Sequence, residues 1–492
     1  MNKVIVIGAG IGGLSTAIRL TALGYKVTVV EQQPSAGGKL QRVEEGGYRF
    51  DRGPSTITMP QAFQRVFESA GKRMEDYLDL TRLEPGTRNV FADGTVVDFT
   101  SDRSAMEEQI AVFSPKDALA YRSFMAESKE LFDISDRLFL NHLLTDWRSK
   151  ADPRLLAGLL RVRPLTSLHR LLRRYFQHPN TLAMFGRYAT YVGSSPRQAP
   201  AIFAMLPHLE QQLGVYHVKG GTYRLVEALR TLALELGVDF RYGVKVTAIR
   251  SNGRRVVGVG TQEGELAADI VVANGDLLSI SQELLPGKER PSMPDRKIQA
   301  MEPSLSGFVV LAGVRRKYKK QLLQHTVFFP EYYELEFEHI FHQQKPPADP
   351  AVYVCHSGYS EPGMSPEGGS NLFLLANAPY TGGGHSWQGF EKLYAKRLLK
   401  TLERRGLEGL TEGLEVMQTY TPEQLQRDTS AYRGAIYGIS SNSARQTFFR
   451  PSNRGDLSGL WFVGGTTHPG GGTPLVALSG LLVADEIAKR AY

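Results

Sequence analysis

One cysteine, Cys355, is all that 492 residues contain. A lone thiol excludes an intramolecular disulfide and any CxxC zinc or iron–sulfur site, and it fits a reducing compartment. Beside Val352 and Tyr353 it reads as a buried strand residue. No apolar stretch approaches the ~20 residues that cross a bilayer. The longest, such as residues 308–314, read as core strands. The first apolar run, residues 4–7, is too short for a secretory h-region and has no basic n-region before it. No histidine–carboxylate cluster has metal-ligand spacing, so no metal is expected, and no Ser-His-Asp arrangement can be read. Zinc-finger spacings and the aromatic signature of an RNA-binding sheet are also missing, so no nucleic acid partner is expected. Repeats and low-complexity tracts are absent, and no clean linker divides the chain.

What is present begins at residue 3. A short β-branched run leads into Gly8, Gly10 and Gly13, which give GxGxxG. Leu14, Ala17, Ile18 and Leu20 follow at helical spacing, Gly24 ends the helix, and a second strand runs to Glu31. This is a dinucleotide-binding β–α–β unit with each part in place. Gly8 permits the tight turn, Gly10 lets the backbone approach a pyrophosphate, and Gly13 allows close helix–strand packing. Free amides at the helix start bind phosphate, and Glu31 is placed to accept hydrogen bonds from a ribose.

Further on, residues 90–99 carry a DG turn between β-rich runs, a hairpin signal. Residues 105–186 read as largely helical, with six arginines and one acid in residues 151–175. Leu155, Leu156, Leu159 and Leu160, then Leu168, Leu171 and Leu172, form apolar stripes beside Arg161, Arg163, Arg170, Arg173 and Arg174. Such a basic amphipathic pair suits an anionic membrane surface, and the whole chain carries a net charge of +8. His208 and Glu210 read as surface or packing residues, and Asp51 and Arg52 as a local ion pair. Residues 268–274 are a buried parallel strand. The chain closes on a strand at 461–463, a glycine-rich stretch over 464–473 and an amphipathic helix over 475–490. A glycine-rich loop feeding a helix N-terminus presents amides to an anionic or electron-rich group.

Gly37, Gly38 and Lys39, with "GGYRFDRGP" at residues 46–54, resemble the second glycine pair of FAD-binding two-dinucleotide-domain proteins. "GAGIGGL" (8–14), "FDRGPSTITMP" (50–60) and "FVGGTTHPGGGTP" (462–474) together resemble the bacterial carotenoid desaturase and oxygenase family, the phytoene-desaturase-like flavoproteins. The resemblance spans essentially the whole chain and points to the thirty-carbon branch of dehydrosqualene desaturases and diaponeurosporene oxygenases. It implies an α/β, FAD-binding Rossmann-like fold, two-dinucleotide-binding, with an interleaved substrate-domain sheet and a helical, membrane-docking region. The expected parts are FAD-binding at 1–104, 206–295 and 416–492, helical at 105–205 and substrate-binding at 296–415. FAD would lie against Gly8, Gly10, Gly13, Glu31, Gly38, Lys39, Gly53, Pro54, Val246, Gly464, Gly465, Gly472, Thr473 and Pro474. Lys39 would meet a phosphate, the Val246 backbone would hold the adenine, and His468 would remove a proton or hydrogen-bond the flavin.

The implied substrate is an apolar polyene, and the implied location is the inner face of the cell membrane, reached from the cytoplasm. Two chemistries stay open. "YVGSSPRQAPAIFAML" (191–206), "FADGTVVDF" (91–99), "FHQQKPPADPAVY" (341–353) and "RGAIYGI" (433–439) resemble the oxygenase that oxidises a terminal methyl group. The His-Pro pair in "THPGGGTP" (467–474) is typical of the desaturases. Terminal oxidation of diaponeurosporene or diapolycopene to alcohol and aldehyde is the favoured reading, with desaturation as its alternative. An amine-oxidase-like enzyme and a non-catalytic flavoprotein are more distant ones.

Overall fold

The computed structural model describes residues 2–143, 155, 158 and 161–490. The expected β–α–β unit is its first element. Strand β1 (Lys3–Ile7) enters helix α1 (Ile11–Ala22), and strand β2 (Lys26–Glu31) returns parallel to β1, with Val6 opposite Val29. Gly24 takes φ +89° just past the helix end, a turn that L side chains resist. β1 is the middle of five parallel strands, in the order Leu460–Val463, Ile270–Asn274, β1, β2, Asp239–Tyr242. The inner strands are largely apolar because both faces are covered, one by α1 and the helices Arg224–Glu235 and Thr473–Lys489, the other by an antiparallel sheet of Val246–Asn252, Arg255–Thr261 and Gly264–Ala267. α1 lies against the last helix, Thr473–Lys489, at a contact that only glycine admits. A Cβ on Gly480 would stand 2.5 Å from the Gly12 carbonyl oxygen.

A second sheet has seven strands, ordered Leu414–Tyr420, Ser306–Val314, Ser370–Ala378, Val352–Cys355, His325–Phe328, Thr87–Val90 and Val96–Phe99. Its long strand Ser306–Val314 is buried throughout, and the period of two sorts its side chains. Phe308, Val310 and Ala312 pack with Tyr394, Leu398 and Leu402 of helix Glu391–Arg404, while Gly307 and Val309 line the large cavity described below. The hairpin read from the DG turn is present, but it extends this sheet rather than the first one, although it falls within residues 1–104. Leu414–Tyr420 likewise crosses residue 415 to form the opposite edge. Cys355 ends a strand and is buried, and burial pushes its thiol up to about 12.

Helices Arg103–Ala111, Pro115–Ser135, Leu168–Tyr175 and Pro179–Gly186 form the expected helical region. The proposed membrane stripe is resolved differently in its two halves. Leu156, Leu159 and Leu160 lie outside the described residues. Leu155, Leu168, Leu171 and Leu172 are buried in the largest hydrophobic cluster, with Phe124, Phe176 and Phe185. These four leucines therefore cover the protein's own core, not a bilayer. Arg161, Arg163, Arg170, Arg173 and Arg174 remain on the outside. No helix among the described residues is long and apolar enough to cross a membrane.

Candidate active site

The carboxyl ends of β1, β2, Ile270–Asn274 and Leu460–Val463 open on one cavity of about 600 Å³. That edge of an open parallel sheet, beside the strand where the order reverses, is where such folds bind ligands. Gly8, Gly10, Glu31, Gly38, Lys39, Gly53, Pro54, Val246, Gly464, Gly465, Gly472, Thr473 and Pro474 all line it, as does His468. The structure brings these together from stretches more than 400 residues apart in sequence. Gly13 does not line the cavity. It sits behind the turn, where a Cβ would stand 2.2 Å from the Gly8 carbonyl oxygen.

Several features suit a dinucleotide. Helices α1 and Thr473–Lys489 both begin at this cavity, on Gly10 and Gly472, and neither has a side-chain cap. Their first amides are available to anionic or electron-rich groups. Gly10 and Gly38 meet backbone to backbone, since a Cβ on Gly38 would lie 3.4 Å from the Gly10 Cα. Glu31 accepts the amides of Ala9 at 2.7 Å and Gln33 at 2.8 Å. Burial raises its carboxyl pKa, those amides oppose the rise, and a carboxylate has lone pairs to spare for ribose hydroxyls. Lys39, of which a phosphate contact is expected, lines the cavity. Its Nζ donates to the carbonyls of Ala435 and Ile436, and burial lowers it to about 8 while Asp276 opposes the fall. Asp276 in turn accepts from the amide of Leu278 at the start of its helix. Asp51 and Arg52 do not pair with each other. Asp51 accepts the amides of Thr222 and Tyr223, and the Arg52 guanidinium lies 3.9 Å over the Tyr420 ring.

The glycine-rich stretch is held from below. His468 Nε2 bonds to the Phe139 carbonyl at 2.7 Å, and a carbonyl only accepts, so that nitrogen carries the hydrogen. Arg450 is buried and donates to the Gly465 carbonyl at 3.0 Å and to Ser441 Oγ at 3.2 Å. Burial lowers its pKa to about 10.

Beyond this stretch the cavity turns apolar, with Ile202, Phe203, Leu209, Val309, Phe373 and Leu375 on its walls. Polar side chains interrupt it at two places. Tyr353 places its hydroxyl 2.8 Å from Ser55 Oγ and 2.7 Å from His325 Nδ1. Across the helical region, Arg187 and Glu210 form an ion pair at 3.1 Å, 4% and 2% exposed along their side chains. Glu210 is thus a buried wall residue and not a surface one. His208 is buried as well, with its ring beside Phe132. Just behind the wall, Glu336 accepts from Asn377 Nδ2 and from the Ala351 amide, each at 2.6 Å, and burial pushes its carboxyl up to about 7. Asn274 was also missed. Its Nδ2 donates to the Gly8 carbonyl at 3.0 Å and steadies the phosphate turn, and its place at the carboxyl end of a parallel strand was the available signal.

A parallel sheet with two uncapped helix starts on a shared cavity, backed by an apolar chamber, defines an FAD-dependent oxidoreductase. The chain belongs to the flavin containing amine oxidoreductase family, whose model matches residues 11–488. It is 34% identical over 491 residues to a 4,4'-diapolycopene oxygenase from Methylomonas sp, covering 99% of this chain and 98% of that one. A 4,4'-diaponeurosporene oxygenase from Staphylococcus aureus (strain Mu50 / ATCC 700699) is 33% identical over 496 residues, covering 99% and 98%. Among solved structures, an oxidoreductase from Methanosarcina mazei superposes with TM-score 0.66 at 16% identity, covering 98% of this chain and 100% of that one. Putrescine oxidase bound to putrescine gives 0.67 at 15%, covering 99% of each. These structures share the fold.

Proposed function

We propose that the chain oxidises the terminal methyl group of a thirty-carbon acyclic polyene to the alcohol and then the aldehyde. The observation that carries this is the single cavity that runs from the glycine-rich turns into an apolar chamber. Relatives at one third identity over nearly full length, named for the oxidation of such polyenes, support the choice of substrate. FAD, when bound, supplies a two-electron acceptor. The protein's part is to hold the polyene end dry and aligned and to manage protons. Ile202, Phe203, Leu209 and Phe373 would grip the hydrocarbon and exclude bulk water. We assign His468 a positioning role, because its Nε2 hydrogen is committed to the Phe139 carbonyl and ties the glycine-rich stretch to the helical region.

Hydride leaves the allylic carbon, and delocalisation along the polyene stabilises the cation. Water capture at the terminal carbon gives the alcohol, so dioxygen or a quinone is needed only to regenerate the cofactor. Loss of a neighbouring proton instead gives a new double bond, the desaturase outcome, which the His468–Pro469 pair favours. Purified holoprotein incubated with diaponeurosporene in labelled water, and separately under labelled dioxygen, distinguishes these routes. The expected product is an alcohol labelled from water when quenched early. Label mainly from dioxygen overturns the water route, and new carbon–carbon double bonds alone move the chain to the desaturases. The apolar substrate lives in bilayers, so we also assign the enzyme to a membrane surface, approached through its outward arginines.

A further inference from the structure

Arg187, Tyr191 and Glu210 line the apolar chamber. Arg187 Nη1 donates to the Tyr191 hydroxyl at 2.8 Å, and Nη2 reaches the Tyr188 hydroxyl at 3.2 Å and Glu210 Oε2 at 3.1 Å. Tyr191 donates onward to Glu210 Oε1 at 2.7 Å, and Tyr188 donates to Oε2. Arg187 Nε is buried and has no hydrogen-bond partner among the described residues. A hydrocarbon gains nothing from such a cluster. An ion pair and two phenols taken out of water cost several kcal/mol unless every donor is satisfied, and an apolar replacement of the same volume is often as stable. The donor count leaves a specific deficit. A guanidinium has five N–H donors, and the bonds named above use three of them. The Tyr191 oxygen, having accepted from Arg187 and given its own hydrogen to Glu210, keeps one lone pair. A group that can both accept from the guanidinium and donate to Tyr191, as a hydroxyl can, would complete the set.

We propose that Arg187, Tyr191 and Glu210 bind the oxygen of a polyene end already oxidised to the alcohol and hold it for the second dehydrogenation. This rests on terminal oxidation as the reaction. In that step the carbinol carbon loses a hydride, for which bound FAD would be the two-electron acceptor, and its C–O bond becomes double. The hydroxyl proton passes to the Tyr191 oxygen as Tyr191 gives its own to the Glu210 carboxylate. After the relay the Tyr191 hydroxyl donates to the aldehyde oxygen, which also keeps its bond from the guanidinium, so the wall holds both oxygenated ends.

The test measures affinities of folded holoprotein for three thirty-carbon polyenes, the hydrocarbon, its terminal alcohol and its terminal aldehyde, by the shift of the visible bands on binding. The wild type is expected to favour alcohol over hydrocarbon by about tenfold. Tyr191→Phe should bring the alcohol-to-hydrocarbon ratio close to one and raise the alcohol share of released product. The paired change Arg187→Met with Glu210→Gln, which avoids leaving one buried charge, should abolish the preference for both oxygenated ends. Tyr188→Phe removes a hydroxyl that touches the same carboxylate but does not line the chamber, and it should keep the preference. Melting temperature and flavin content report the folding of each variant. An alcohol preference that survives Tyr191→Phe, or falls equally in Tyr188→Phe, overturns the inference alone. Failure to bind any of the three overturns the substrate class and the inference with it. Binding followed only by new double bonds overturns terminal oxidation, while the measured ratios still decide whether this wall recognises a hydroxyl.

Discussion

Two glycines of one motif have different tasks, and substitution should separate them. At Gly10 a Cβ would stand 3.2 Å from Asn274 Nδ2, a contact the side chain can relieve, and the open space beyond is where the pyrophosphate is expected. Gly10→Ala is expected to fold with a near-normal melting temperature and to lose flavin, read as absorbance near the flavin bands after gel filtration. At Gly13 a Cβ would stand 2.2 Å from a backbone oxygen and 2.8 Å from Asn274 Nδ2. Gly13→Ala is expected to cost about 3 kcal/mol or more through overpacking, seen as a lowered melting temperature even in apoprotein. Full flavin retention by Gly10→Ala would contradict the placing of the pyrophosphate. Glu336 gives a pH dependence. Burial pushes its carboxyl up to about 7 in the folded state, above the ordinary value of 4.5, so the folded state binds the extra proton between them. Stability is then highest below the lower value and falls by roughly 3 kcal/mol as pH rises through about 5 to 7. Glu336→Gln should flatten that slope in denaturant titrations at pH 5 and pH 8. An unchanged slope would show that the carboxyl is not perturbed.

Among the elements, helix Leu168–Tyr175 shows how far amphipathic spacing can be read. Its leucines and arginines segregate as the sequence predicts, but spacing alone does not tell a bilayer from the protein's own interior. The core clusters the leucines with Phe176 and Phe185 close by in the chain and with Phe124 more than forty residues upstream, where no local pattern announces it. Leu171→Ala should therefore destabilise by about 2–5 kcal/mol, a core penalty that a membrane-inserted side chain would not incur in solution. The basic face remains available to lipid headgroups. Replacing Arg170, Arg173 and Arg174 together by Glu is expected to leave the melting temperature nearly unchanged and to halve or more the recovery with anionic liposomes in flotation. Wild-type association should also weaken in high salt. Equal flotation of both proteins would remove this face from the docking surface.

At the scale of the whole molecule, the cofactor half was legible and the substrate half much less so. A β–α–β unit is local, and its glycines, helix spacing and terminal Glu31 lie within some thirty residues. The seven-stranded sheet depends on pairings such as Thr326 with Arg88, which no window on the sequence contains. The same holds for the chamber. Arg187 was hidden, and Glu210 read as a surface or packing residue, because no spacing shows that the two meet on a cavity wall, whereas His468 stood out by lying in a recognisable loop. Because one cavity is lined by both sheets, cofactor occupancy should stabilise the entire chain. Adding FAD to stripped protein at a hundred times its dissociation constant is expected to contribute about 2.7 kcal/mol, raising a single unfolding transition. Two separate transitions, only one of them shifted, would show that the halves unfold independently.

The order of strands in the five-stranded sheet has a consequence for biosynthesis. Leu460–Val463 pairs with Ile270–Asn274, and the helix after it packs on α1. The ribosome finishes Ile270–Asn274 roughly 185 residues before it makes that partner, an interval on the order of ten seconds or more at ordinary elongation rates. Throughout that time the nascent chain carries a parallel sheet with an unpaired edge and an uncovered helix face. Flavin loading must then follow translation of the final strand, and the growing polypeptide is a natural client for whatever shields exposed strands at the tunnel exit.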